Sequence, residues 1–264
     1  MSITRSAEQL EIAYRSAGTG PPDLLLVHGW AGSGAYFEET IAALDLEQVR
    51  AISLDLSGHG ESPGGDGDWS LDRIDDAILS VADAVGAKQP VLLGFSMGGK
   101  FAQHFALRHR HRVAGLILVA GAQAASMMLP PELLEDWYGR AGNPEAMKEL
   151  VRGFLTGPAD EGALDRFGRE AARASLPALQ GTLRTTVDTD FSGELSSLDV
   201  PTLVVAGGRD EFLTVELLRS AIVSPIRGAR MAVVDCGHEI PLERPRELAA
   251  LIEAFLAGLG IVRP

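Results

Sequence analysis

Residues 94–99 read Gly94-Phe95-Ser96-Met97-Gly98-Gly99 and follow directly on the apolar run Pro90-Val91-Leu92-Leu93. Beyond them, Phe101, Ala102, Phe105 and Ala106 recur at helical spacing to about His109. The segment therefore predicts a strand, a tight turn at Ser96 and a helix. Such a turn presents one serine, exposed, at a helix N-terminus, where a nucleophile is useful. Glycines two residues to either side have a mechanical reason: side chains there would collide with the turn. A Gly-x-Ser-x-Gly string also occurs by chance. Its strand and helix context is what gives it weight.

The rest of the chain repeats that alternation. Residues 10–17 and the segment before them read as a hairpin. Asp23–His28, Val49–Leu56, Val113–Ala120, Thr202–Ala206 and Arg230–Asp235 read as further strands. Residues 34–44, Ser70–Val85, Val215–Ile222 and Arg246–Leu256 read as helices. The second of these has Ser70 as N-cap and Leu71, Ile74, Ile78, Val81 and Val85 on one face. Apolar strands alternating with helices predict an α/β fold with a mostly parallel, doubly wound sheet covered on both faces. Ligands then bind beyond the carboxyl ends of the strands, where Ser96 lies. Residues 122–195 break the pattern, with helices expected at about 132–140, 144–155, 160–174 and 177–187. They are expected to form a helical cap inserted between the sixth and seventh strands, with 1–121 and 196–264 as the core.

At 264 residues and 46% hydrophobic, the chain can bury a large core. Its formal net charge of −13 argues against nucleic acid as a partner. The single cysteine, Cys236, allows no intramolecular disulfide and is expected to be a small buried filler. The segment Met1–Glu8 lacks the apolar core of a signal peptide, and no stretch is apolar over the length of a membrane span. A cytoplasmic protein without membrane association is expected, as a monomer or homodimer. Gly64–Asp68 resembles a calcium loop only faintly and is expected to be a surface loop. No metal site is expected. Neither a P-loop nor a dinucleotide-binding glycine loop occurs, so no cofactor is expected.

A serine nucleophile needs a base, and the base an orienting carboxylate. Of the six histidines, His238 stands out, just past the carboxyl end of a late strand in Cys236-Gly237-His238-Glu239-Ile240-Pro241. His104, His109 and His111 lie on or just after the elbow helix. The run 107–112 reads as a cationic helix terminus facing water. Asp210, in the loop after strand 202–206, is the best candidate acid. Glu211 and Asp235 are weaker, Asp235 because it sits too near His238 along the chain. Asp55 and His59 are expected to be structural, in a turn packed beneath the site.

The order Ser96, Asp210, His238 resembles the α/β-hydrolase superfamily. The resemblance extends to His28-Gly29-Trp30 after the third strand and to Asp55-Leu56-Ser57-Gly58-His59-Gly60-Glu61-Ser62 after the fourth. It implies Ser96, His238 and Asp210 as nucleophile, base and orienting acid. It also implies an oxyanion hole from the backbone N–H groups of Trp30 and Met97. His28 and Gly29 would shape that loop and the substrate pocket, with Met127, Trp137, Tyr138 and Phe154 added from the cap. Among the cap's large apolar side chains, which also include Met128, Leu129, Phe167 and Phe191, a minority is expected to face the ligand. Serine at the elbow separates the chain from haloalkane dehalogenases and epoxide hydrolases, which carry aspartate there. The expected substrate is a small or medium apolar ester, thioester or lactone. Two further options are C–C hydrolysis of a ring-cleavage dienoate or 1,3-dicarbonyl, and perhydrolase activity. A triad-bearing small-molecule receptor is the alternative of a different class. Arginines 140, 152, 166, 169, 173 and 184 are expected on solvated faces rather than on a substrate carboxylate.

Overall fold

The computed structural model describes residues 2–5, 11–64 and 67–260, the first of these as backbone. The hairpin turn before residue 11 and the middle of the 64–68 loop (Gly65, Asp66) lie outside the described residues. The strands are β1 (Ser2–Arg5), β2 (Glu11–Ala17), β3 (Asp23–Val27), β4 (Arg50–Leu54), β5 (Val91–Phe95), β6 (Gly115–Val119), β7 (Thr202–Gly207) and β8 (Arg230–Val234). They form one sheet in the order β1-β2-β4-β3-β5-β6-β7-β8. β2 runs antiparallel to β1 and β4; every other pairing is parallel. The fold is the expected α/β arrangement with a mostly parallel sheet.

The helices are α1 (Glu38–Ala43), α2 (Leu71–Ala84), α3 (Met97–Arg108), α4 (Pro131–Gly139), α5 (Pro144–Arg152), α6 (Glu161–Ala171), α7 (Leu176–Asp188), α8 (Val215–Leu218), α9 (Ile240–Glu243) and α10 (Pro245–Gly258). The segment expected to be helical at 34–44 opens as a 3₁₀ turn, Gly34–Phe37, before α1. The Ser70 side chain accepts the Arg73 N–H and caps α2 as expected. Central strands buried on both faces need apolar side chains at successive positions. Leu24–Val27 and all of β5 and β6 meet that need. Leu25, Val27, Ile52 and Leu92 pack with Ile74, Ile78 and Phe101 of α2 and α3. Their neighbours Leu24, Leu26, Ala51 and Leu93 pack on the other face with Ile252 and Phe255 of α10. At about 25 cal/mol per Å² of apolar surface, these two layers dominate the stability.

Strand order places the site. From β3 the chain goes to β4 on one side, then returns to β5 on the other. The carboxyl ends of β3 and β5 therefore flank a reversal of strand order, where doubly wound sheets hold ligands. β3 ends at His28-Gly29-Trp30 and β5 at Ser96.

Helices α4 to α7 follow one another between β6 and β7, close to the expected positions. One buried cation ties the last of them to α3. Lys100 is fully buried, and its Nζ donates to the carbonyls of Ala125, Thr186 and Thr189 at 3.0, 2.6 and 2.6 Å. Thr186 lies in the last turn of α7, where carbonyls lack helical partners and favour a cation. Lys100→Met keeps the apolar stem and strands these acceptors. It is expected to cost about 2–3 kcal/mol, read as a lower urea midpoint at unchanged m-value.

Candidate active site

Ser96 occupies a left-handed conformation, φ 50° and ψ −119°, between β5 and α3. Such a conformation is unfavourable for a residue with a Cβ and persists only when its surroundings enforce it. Here the Ser96 N–H donates to Val119 O at 3.0 Å, and Ser96 O accepts from the amides of Gly99 and Ala122 at 2.8 Å each. The flanking glycines are required by close approach. A Cβ on Gly94 would lie 2.2 Å from Gly98 O, and one on Gly98 would lie 2.4 Å from Val27 O.

The Ser96 hydroxyl meets His238, with Oγ 2.9 Å from Nε2. On the other side of the ring, Nδ1 lies 2.7 Å from Asp210 Oδ2. The second Asp210 oxygen accepts the amides of Phe212 and Leu213 at 2.8 and 2.9 Å, so the loop after β7 fixes this carboxylate. Burial alone would raise the Asp210 carboxyl. The hydrogen bond and charge of His238, with those two amides, hold it below the usual range. Burial alone would lower His238. The Asp210 hydrogen bond and the charges of Glu239 and Asp210 outweigh it, and the imidazole lies above its ordinary value. Phe95, Phe154 and Phe212 surround the ring, with centroids 5.4–5.7 Å away. Asp235, the weaker sequence candidate, points to solvent and pairs with Arg209 at 3.1 Å.

A pocket opens over Ser96 and His238. Gly29, Trp30 and Met97 line it. Among the described residues, neither the Trp30 nor the Met97 amide donates to another backbone carbonyl. Met127, Leu129, Trp137, Phe154 and Phe167 line it from the 122–195 segment, so five of the eight large apolar side chains face it rather than a minority. The reason is packing. Aromatic rings meet one another across the cavity, with Trp137 5.9 Å from Phe154 and 6.2 Å from Phe212. Of the other three, Met128 is exposed, while Phe191 is buried beside His104 on α3.

Two expected pocket residues lie elsewhere. His28 does not line the cavity. It turns into the core, where Nε2 accepts the Leu56 amide at 3.0 Å and Nδ1 donates to Gly29 O at 2.7 Å. Burial lowers this imidazole to about 4, so it stays neutral and holds the loop. Tyr138 faces away on α4 and packs on Trp30 with ring centroids 6.3 Å apart. One helical position separates it from Trp137, which takes the inward place. Asp55 and His59 are fully buried, and the His59 ring lies 5.1 Å from that of His28. Cys236 is buried as well, and burial pushes its thiol up to about 12.

Tyr36 and Glu239 also line the cavity, and no sequence motif marks either of them. The Tyr36 hydroxyl donates to the Glu239 carboxylate across 203 residues of chain. The arginines of α4 to α6 are mostly engaged: Arg140 with Asp136, Arg152 with Glu149 and Glu161, Arg166 with Glu38 and Glu39. Arg173 pairs with Glu61. These pairs match the expectation of solvated faces.

A mostly parallel sheet, a strained serine at the end of its central strand, and a buried Ser–His–Asp chain of hydrogen bonds define a recognisable class of enzyme. Residues 22–161 match the family model described as alpha/beta hydrolase fold, and the chain belongs to that family. It is similar to the pimeloyl-[acyl-carrier protein] methyl ester esterase of Stenotrophomonas maltophilia (strain R551-3). The two are 29% identical over 265 residues, covering 90% of this chain and 94% of the relative. Its fold matches an esterase from Exiguobacterium antarcticum, with TM-score 0.86, 22% identity and coverage of 97% and 99% of the two chains. It also matches the enol-lactonase of Burkholderia xenovorans LB400, with TM-score 0.85, 21% identity and coverage of 97% and 100%. The protein is an α/β-hydrolase enzyme with esterase-like relatives. Among the described residues, no helix is long and apolar enough to cross a membrane.

Proposed function

We propose that the protein is a serine hydrolase of small-to-medium, largely apolar carboxylic esters or lactones, acting through an acyl-enzyme. The observation that carries this is the continuous hydrogen-bonded line Asp210–His238–Ser96, at 2.7 and 2.9 Å, opening into an aromatic-lined cavity. Ser96 Oγ attacks the carbonyl carbon as its proton passes to His238 Nε2. Asp210 fixes the tautomer and stabilises the imidazolium. The oxyanion is received by the amides of Trp30 and Met97, an arrangement in which one lost donor costs about 2.7–4 kcal/mol of barrier. As the intermediate collapses, the leaving alcohol takes the proton from His238. Water then attacks the acyl-enzyme, giving its proton to His238, and Ser96 leaves with that proton restored. In this proposal residues 122–195 form a cap over a core of 1–121 and 196–264, and the cap sets acyl preference.

The test is labelling with an alkyl fluorophosphonate. Intact mass should rise by one phosphonyl adduct, mapped by peptide sequencing to Ser96 and lost in Ser96→Ala. No adduct on folded protein, or an adduct on another residue, would refute the serine nucleophile. A p-nitrophenyl ester series of rising length, run beside a dienoate, separates ester from C–C cleavage.

A further inference from the structure

Most of the residues lining the cavity are apolar; besides Ser96, His238 and Thr186, its polar side chains are Tyr36 and Glu239. Each is only 6% exposed. They come from different elements, Tyr36 from the 3₁₀ turn after β3 and Glu239 from the residue after His238, and the phenol donates to the carboxylate. Among the described residues, no lysine or arginine lines this cavity. Arg166 lines a separate small pocket, which Tyr36 also borders, and its guanidinium is already paired with Glu38 and Glu39.

We propose that Glu239, held by Tyr36, is a charge filter: it admits neutral esters, favours a substrate hydrogen-bond donor beside it, and rejects substrates bearing a carboxylate. The inference rests on the serine-hydrolase reading above and narrows its substrate class. A substrate carboxylate would lose its water, find no cation and face a like charge in a water-poor cavity. Selectivity of this kind comes from repelling the wrong ligand as well as holding the right one.

The filter depends on pH. The groups acting on Glu239 are His238 beside it, Tyr36 across from it, and Asp210 and Glu243 nearby. Cys236 and Glu243 also act on Tyr36. Burial is the largest influence and raises the Glu239 carboxyl. His238 and Tyr36 oppose it, the charges of Asp210 and Glu243 add to it, and the result is about 7. Tyr36 is pushed well above its ordinary value and Cys236 to about 12, so neither ionises near neutrality. Glu239 is therefore charged above about pH 7 and neutral below it, and rejection of anions strengthens as pH rises.

The test compares p-nitrophenyl hexanoate with the mono-p-nitrophenyl ester of adipic acid, which has the same chain length and a terminal carboxylate. The readout is the ratio of their kcat/KM values, corrected for spontaneous hydrolysis. Because both substrates meet the same His238, its titration cancels in the ratio. The preference for the neutral ester should grow about tenfold between pH 6 and 8.5. In Glu239→Gln, which keeps an acceptor for Tyr36, the preference at pH 8.5 should fall about tenfold and its pH dependence should vanish. A wild-type ratio flat with pH overturns the proposal even if the variant fails to fold, as does a pH dependence that survives in Glu239→Gln. If Ser96→Ala still hydrolyses the neutral ester, the serine-hydrolase reading has failed instead.

Discussion

Replacing Ser96 or His238 with alanine is expected to lower kcat/KM for a p-nitrophenyl ester by about 10⁴–10⁶-fold, with either loss nearly as complete as both together. The two act as a unit, since the serine is a poor nucleophile without its base and the base has no proton to take without the serine. Asp210→Ala should cost less, about 10³–10⁴-fold, because the imidazole remains but loses the partner that fixes its tautomer. Asp235→Ala is the matched control. Its carboxylate is exposed and paired with Arg209, away from His238, and activity should stay within about twofold. An Asp210→Ala enzyme as active as wild type would overturn the assignment of the acid. Circular dichroism and thermal melts on the same samples exclude loss of fold as the cause.

The second large effect concerns stability. Asp55 is fully buried in the loop after β4. One oxygen accepts from Arg15 Nη1 at 2.8 Å and from the Gly34 amide at 2.7 Å. The other accepts the Glu61 amide at 2.9 Å. Removing this carboxylate leaves two amides without acceptors and the Arg15 guanidinium with only Glu170, 3.6 Å away. Asp55→Ala is expected to destabilise by about 3–5 kcal/mol, mainly from two buried amides left unsatisfied at about 1–3 kcal/mol each. For a chain of this size that is a drop in melting temperature of roughly 6–15 °C. Asp55→Asn keeps part of the acceptor capacity and should lose less. A Gly34 amide set free would also loosen the 3₁₀ turn that carries Tyr36, so Asp55→Ala should impair activity even below its melting point.

Much of this architecture was legible because it depends on period and punctuation. Apolar runs of strand length alternate with helical stripes, and that pattern admits few topologies. The elbow was readable because two glycines and a serine have to stand at fixed offsets. Asp210 and His238 were readable because each follows a strand, and strand ends converge on one edge of the sheet. What was not legible depends on side-chain direction. His28 is adjacent to two residues that line the cavity, Gly29 and Trp30, yet it turns inward to bind the Leu56 amide. Tyr138 and Trp137 are neighbours on one helix, and the rotation of α4 alone decides which faces the ligand. Tyr36 and Glu239 are far apart in sequence and carry no motif. Their pairing exists only once the 3₁₀ turn and the His238 loop have been packed together.

The bonds that fix α7 have a consequence for how such an enzyme changes in evolution. Lys100 holds its C-terminal end, and Trp30 Nε1 holds its first turn by donating to Leu179 O at 2.9 Å. Leu183, Thr186 and Val187, which form part of the cavity wall, stand on that same helix. A wall anchored at two points yields less to a larger or smaller side chain than an untethered one. A change at Leu183 is therefore passed more into cavity depth and absorbed less by backbone movement. In the serine-hydrolase reading proposed above, single changes on this wall would adjust substrate range while Ser96 and His238 keep their spacing.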